Sequence, residues 1–146
     1  MRLVVVPLLV VLAAPVSSAG DPHPEFSKDP ALLALFAKVL LDGGAGFRET
    51  ESGAFLLLHP DGQYSLVPWQ ASQRPRAHAF AGAVPHFAFA IVHTHPAGSP
   101  RPSAADKAAA RKANLPVVVL TPRAIAYATP AGATVVAIEN RFWAPS

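Results

Sequence analysis

The residue types that can do chemistry in this chain are concentrated between positions 93 and 106. His93 and His95 stand two apart, Ser103 follows after seven further residues, and Asp106 comes three positions later. The apolar run just before them, residues 87–92, reads as a buried strand. Side chains two apart on a strand share a face, so both imidazoles project the same way. The interval 96–102 holds three prolines and a glycine, which excludes a helix there, and a helical pattern opens at Ser103. Two histidines at a strand end and a carboxylate at the next helix start can converge on one divalent metal ion. Three protein ligands with a fourth position left for water is the arrangement of a catalytic zinc, whereas a structural zinc is usually closed by four.

Each of these residues also has a simpler reading. The chain has six histidines, so some proximity arises by chance. Ser103 and Asp106 fit a helix capping box, in which the serine caps the helix and the acid returns a bond. Against that, Asp106 is the only carboxylate between Asp61 and Glu139. A single acid placed at this spacing after two histidines is better explained as an oxygen ligand. Ser103 has no accompanying base and carboxylate, so it is not a nucleophile.

The spacing His-x-His-x7-Ser-x2-Asp resembles the signature of the MPN+ (JAMM) metallopeptidases. Its spelling from His95 to Ser103 is most similar to the RadC-type bacterial branch. The resemblance implies one Zn2+ per chain held by His93, His95 and Asp106. It also implies that the Ser103 hydroxyl stabilises the oxyanion of a tetrahedral intermediate, and that a glutamate on an upstream strand is the general base. Glu49 and Glu51 both stand upstream, two apart and hence on one strand face. The step Glu51-Ser52-Gly53 before an apolar run is more similar to the family pattern, so Glu51 is the expected base and Glu49 its reserve. The implied reaction is hydrolysis of a peptide or isopeptide amide by a metal-activated water. The alternative function is a secreted metal-binding or interaction module of the same fold without turnover, which needs no base.

The elements that must position these residues are legible as patterns. Asp29 and Pro30 start a helix as N-cap and first-turn proline, and Gly43-Gly44 stop it. Leu32, Leu33, Phe36, Val39 and Leu40 give that helix one apolar face. Residues 48–59 and 64–69 read as strands joined at Asp61-Gly62, a strong hairpin signal. Residues 70–85 read as an irregular loop, with Trp69, His78, His86 and Arg101 given no role. A helix over 103–113 ends at Asn114-Leu115-Pro116, and strands are expected at 117–121, 124–129 and 134–138. The order predicts an α/β fold, a central mixed sheet with the N-terminal and post-motif helices packed on it. The resemblance makes this a single compact MPN-like domain.

Composition sets the remaining bounds. A chain of 146 residues, 51% hydrophobic, accommodates one domain with a substantial core. There is no cysteine, which removes disulfides, thiolate zinc sites and thiol nucleophiles. The formal charge of +3 is small and scattered, without a basic stripe, so nucleic acid is set aside as a partner. Arg2, an uncharged apolar run over 3–16 and the small residues Ser17, Ser18 and Ala19 describe a secretory signal peptide. The run is too short for a comfortable membrane span. The expected organisation is a leader over 1–19, a flexible lead-in over 20–29 and the domain over 30–146. The expected location is periplasmic or extracellular, with a peptide, protein or peptidoglycan-stem substrate.

Overall fold

The computed structural model describes residues 26–44, 51–69, 84–95 and 99–144. The expected leader, Glu49, His78 and most of the irregular stretch 70–85 lie outside the described residues.

The strand that leads to the two histidines, β3 (Ala88–Thr94), is longer at its far end than its apolar pattern predicts. The cause is pairing on both sides. His93 lies opposite Gly53 of the antiparallel β1 (Gly53–Leu58) and opposite Val119 of the parallel β4 (Val117–Thr121). His93 is therefore a central-strand residue, fully buried, and not a histidine at an exposed strand end.

Around this pair the sheet has six strands. Besides the three named, β2 (Tyr64–Pro68), β5 (Ala124–Ala128) and β6 (Thr134–Ile138) complete the order β2-β1-β3-β4-β5-β6. Only β3 and β4 run parallel; the other neighbours are antiparallel. Antiparallel neighbours need only tight turns, such as those at Gly62 and Gly132, whose positive φ angles of 83° and 95° suit a residue without a Cβ. A parallel pair needs a crossover, and here it is supplied by the 96–102 interval and α2 (Ala104–Ala113).

Strand alternation assigns one helix to each face. Ala54, Leu56, Ala90, Val92, Val118 and Leu120 pack with Leu32, Phe36, Val39 and Leu40 of α1 (Pro30–Asp42). The alternate positions Phe55, Leu57, Ile91 and Val117 pack with Ala110 of α2. By the same parity His93 belongs to the α2 face, and so does the backbone position of Glu51. The result is a three-layer mixed α/β domain, as expected from the sequence.

One expected boundary moves. The lead-in predicted over 20–29 is anchored at Phe26, which is 2% exposed and meets Phe36 and Tyr127 with ring centroids 5.8 and 5.0 Å apart. A single aromatic in a polar, proline-bearing stretch carries no periodicity, so the pattern did not reveal its burial. At the other end Trp143 is buried and donates its indole N–H to the Thr121 carbonyl at 2.6 Å. No described helix is long and apolar enough to cross a membrane.

Asp29 caps α1 as predicted, its carboxylate accepting the Ala31 N–H at 3.0 Å. Asp29→Ala is expected to lower unfolding stability by about 1 kcal/mol, read as a shift in the urea midpoint. An unchanged midpoint would mean that packing alone fixes the helix start.

Candidate metal centre

The end of β3, the start of α2 and the entry to β1 meet on the α2 face of the sheet. The rings of His93 and His95 lie edge to face, with centroids 4.9 Å apart. Glu51, two residues before β1, is drawn to the same place because Ser52 is clamped to β3. Its N–H donates to Thr94 Oγ1 at 3.0 Å and its carbonyl accepts the Thr94 N–H at 2.9 Å. Ligand atoms of Glu51, His93 and His95 then all lie within 4.8 Å of one another, a group that can hold a metal ion. Glu51 Oε2 is 3.8 Å from His93 Nδ1.

Asp106 comes from the opposite direction. It is the third residue of α2, and the capping box foreseen as its simpler role is fully formed. Ser103 Oγ accepts the Asp106 N–H at 3.1 Å, and Asp106 Oδ2 accepts the Ser103 N–H at 2.6 Å and its hydroxyl at 2.8 Å. Those bonds leave the other carboxylate oxygen unused by the cap. Oδ1 lies 2.7 Å from His93 Nε2, and Oδ2 lies 3.3 Å from His95 Nε2. Capping and facing the histidines are thus two jobs of one side chain.

The donor set fits a cation. Asp106 is 0% exposed, and its Oδ1 accepts no hydrogen bond of adequate geometry despite the short approach of His93. His95 Nδ1 lies 2.9 Å from the Ser99 carbonyl, which can only accept, so Nδ1 carries the hydrogen. In the neutral ring Nε2 then presents a lone pair, and it presents it to a carboxylate oxygen. Two acceptors in that position need a positive charge between them, either a proton or a metal ion. Tetrahedral zinc with bonds of about 2 Å places neighbouring ligand atoms ~3.3 Å apart, which matches Asp106 Oδ2 and His95 Nε2 at 3.3 Å, whereas Oδ1 and His93 Nε2 are closer, at 2.7 Å.

Charges at the site respond in the same sense. Burial works to raise the Asp106 pKa, but the attraction of His93 and His95 outweighs it and holds the carboxylate well below its usual range. Burial works to lower the His95 pKa, but Asp106, the Ser99 carbonyl and Glu51 together turn it upward. Both histidines thus favour the carboxylate form of Asp106, the form that can hold a cation.

Of the residues singled out in the sequence, the structure brings Glu51, His93, His95, Ser103 and Asp106 together, and Glu49 lies outside the described residues. One residue given no role earlier belongs here as well. The Trp69 indole stacks beside the His93 imidazole, with centroids 6.3 Å apart and planes 22° from parallel, and meets Phe55 edge-on. Its backbone N–H donates to the Gly53 carbonyl at 2.8 Å, which lays the ring over Gly53. The signal in the sequence was Gly53 itself, since a glycine inside a strand often marks a close approach.

A Cβ added at Gly53 would fall 2.2 Å from Trp69 Cε3. Gly53→Ala must therefore push the indole off its place beside His93. The expected outcome is a protein that still folds but binds zinc about tenfold more weakly, the scale seen when groups orienting a metal ligand are lost. Competition with a chromophoric chelator measures it, and unchanged affinity would show that Trp69 does not hold the imidazole.

Residues 45–140 match the family described as prokaryotic homologs of the JAB domain. No curated protein and no solved structure matches the chain. The match takes in Glu51, both histidines, Ser103, Asp106 and all six strands, well over half of the 146 residues. The chain belongs to the prokaryotic JAB-domain family.

Proposed function

We propose that this JAB domain is an exported zinc-dependent metallopeptidase that hydrolyses a peptide or isopeptide amide. The observation that carries the reading is Asp106: a buried carboxylate, held by a helix cap, with its spare oxygen turned to His93 and a second carboxylate, Glu51, nearby. A module with no chemistry to perform has little use for a second acid at the same histidines. The leader-like residues 1–19 support export, and an exported enzyme meets envelope proteins, peptides or peptidoglycan stems.

His93, His95 and Asp106 would hold the zinc ion. When bound, it would polarise the scissile carbonyl and lower the pKa of the attacking water. Glu51 lies beside the histidines, its Oε2 3.8 Å from His93 Nδ1, and its side chain keeps 10% exposure. In this reading it takes the proton from the water and delivers it to the leaving amine nitrogen. Ser103 has a single hydroxyl proton, donated to Asp106 Oδ2 at 2.8 Å. Its first task is thus to position Asp106; the oxyanion role implied by family resemblance requires the O–H to turn away from Oδ2.

Glu51→Gln separates the roles open to that residue. As general base, its loss lowers kcat by a factor of about 100 or more while zinc stays bound, measured on whichever envelope peptide or stem peptide the wild type cleaves. Loss of zinc together with activity would make Glu51 a third ligand alongside the two histidines. Wild-type protein that binds zinc and cleaves nothing across such a panel would favour the binding-module alternative.

A further inference from the structure

A cavity of about 340 Å3 adjoins the metal centre and has no part in the chemistry above. His95 and Pro100 form its near end, the β4–β5 turn forms one wall, and the segment after β6 forms the other. That second wall is fixed at several points. Trp143 donates to the Thr121 carbonyl, Arg123 Nη2 donates to the Asn140 carbonyl at 3.0 Å, and the Arg141 N–H donates to the Arg123 carbonyl at 3.3 Å. Arg101 and Glu139 add an ion pair at 3.2 Å across its mouth. These ties hold open a space within the range of small-ligand pockets, next to a histidine of the site.

The lining has a specific chemistry. Phe142 is 78% exposed, the most open of the large apolar side chains described, and the Arg123 guanidinium lies 5.5 Å from its ring centroid. Of the charged groups, Glu139 is already matched by Arg101. Arg123 bonds only a neutral carbonyl, and no carboxylate among the described residues pairs with it. A fixed guanidinium with donors to spare, beside an open aromatic face, suits a carboxylate on an aliphatic stem.

We propose that this cavity is a substrate subsite that takes a carboxylate on Arg123 and the aliphatic carbons bearing it on Phe142. The peptidase reading supplies which bond is cut next to the subsite; the binding claim itself does not depend on turnover. Two sources share this chemistry, the terminal carboxylate of an aliphatic residue and the side chain of a glutamate.

The test is titration of full-length Glu51→Gln protein, which removes the proposed base, followed by NMR or calorimetry. One probe pair is N-acetyl-Ala-Leu with a free C-terminus against its C-terminal amide. The other is N-acetyl-Ala-Glu-amide against its Gln counterpart. The carboxylate member of one pair is expected to bind about fivefold more tightly or better, and which pair responds identifies the source. Adding Arg123→Gln should erase that preference, Arg123→Lys should retain part of it, and Phe142→Ala should weaken both members alike. All three changes are at exposed positions, away from the packed core. Equal binding within both pairs, no binding of any probe, or a preference that survives Arg123→Gln would overturn the subsite. An Arg123-dependent preference in a protein whose wild type cleaves no amide would leave the subsite standing and overturn the peptidase reading alone.

Discussion

The Asp106 carboxylate is the interaction on which the site depends. One of its oxygens closes the first turn of α2 through the Ser103 N–H and hydroxyl, and the other is aimed at His93. A fully buried anion left without a compensating charge would cost several kcal/mol. A proton shared with the imidazoles, or a divalent cation held among the three groups, would supply that charge. The cap bonds also fix the direction of the carboxylate, so Oδ1 faces His93 without help from an ion. Structural and functional readings of the Ser-x-x-Asp step therefore reinforce each other here.

The sheet supplies the other half of the arrangement through parity. Because β3 pairs with β1 as far as His93 and with β4 as far as Thr94, His93 is held within a ladder and His95 lies just beyond it. Glu51 reaches them because β1 runs antiparallel to β3 with Gly53 opposite His93, so the chain just before β1 lies at the histidine end. The absence of a side chain at Gly53 then admits Trp69, whose ring flanks the imidazole. The buried imidazole, the nearby acid and the aromatic ring beside it are consequences of one strand register. The crossover between β3 and β4 brings the helix start, and with it Asp106, to the same end of the sheet.

Much of this was legible in the sequence because it is written in short-range terms. Strand alternation, the Asp29 cap and the turn at Gly62 act within a few residues, the His-x-His-x7-Ser-x2-Asp spacing within fourteen, and each maps onto its expected element. What the sequence left hidden depends on long-range packing. Phe26 is buried by Phe36 of the following helix and by Tyr127, which is distant in sequence, and no local pattern announces it. Trp69 reaches His93 through a strand between them, and Arg123 meets Phe142 across a turn and a hairpin. The burial of His93 likewise follows from its two partner strands and not from its neighbours in the chain.

Asp106, together with His93 and His95, is proposed to hold the metal ion. The most direct measurement is zinc content by elemental mass spectrometry on untagged protein, comparing the wild type with Asp106→Ala and Asp106→Asn. Circular dichroism would check that each variant is folded. The expected result is close to one zinc per wild-type chain and its loss from both folded variants. Zinc retained in folded Asp106→Ala, or a wild type that takes up no zinc when refolded with it, would remove Asp106 from the metal site and leave it as a helix cap alone.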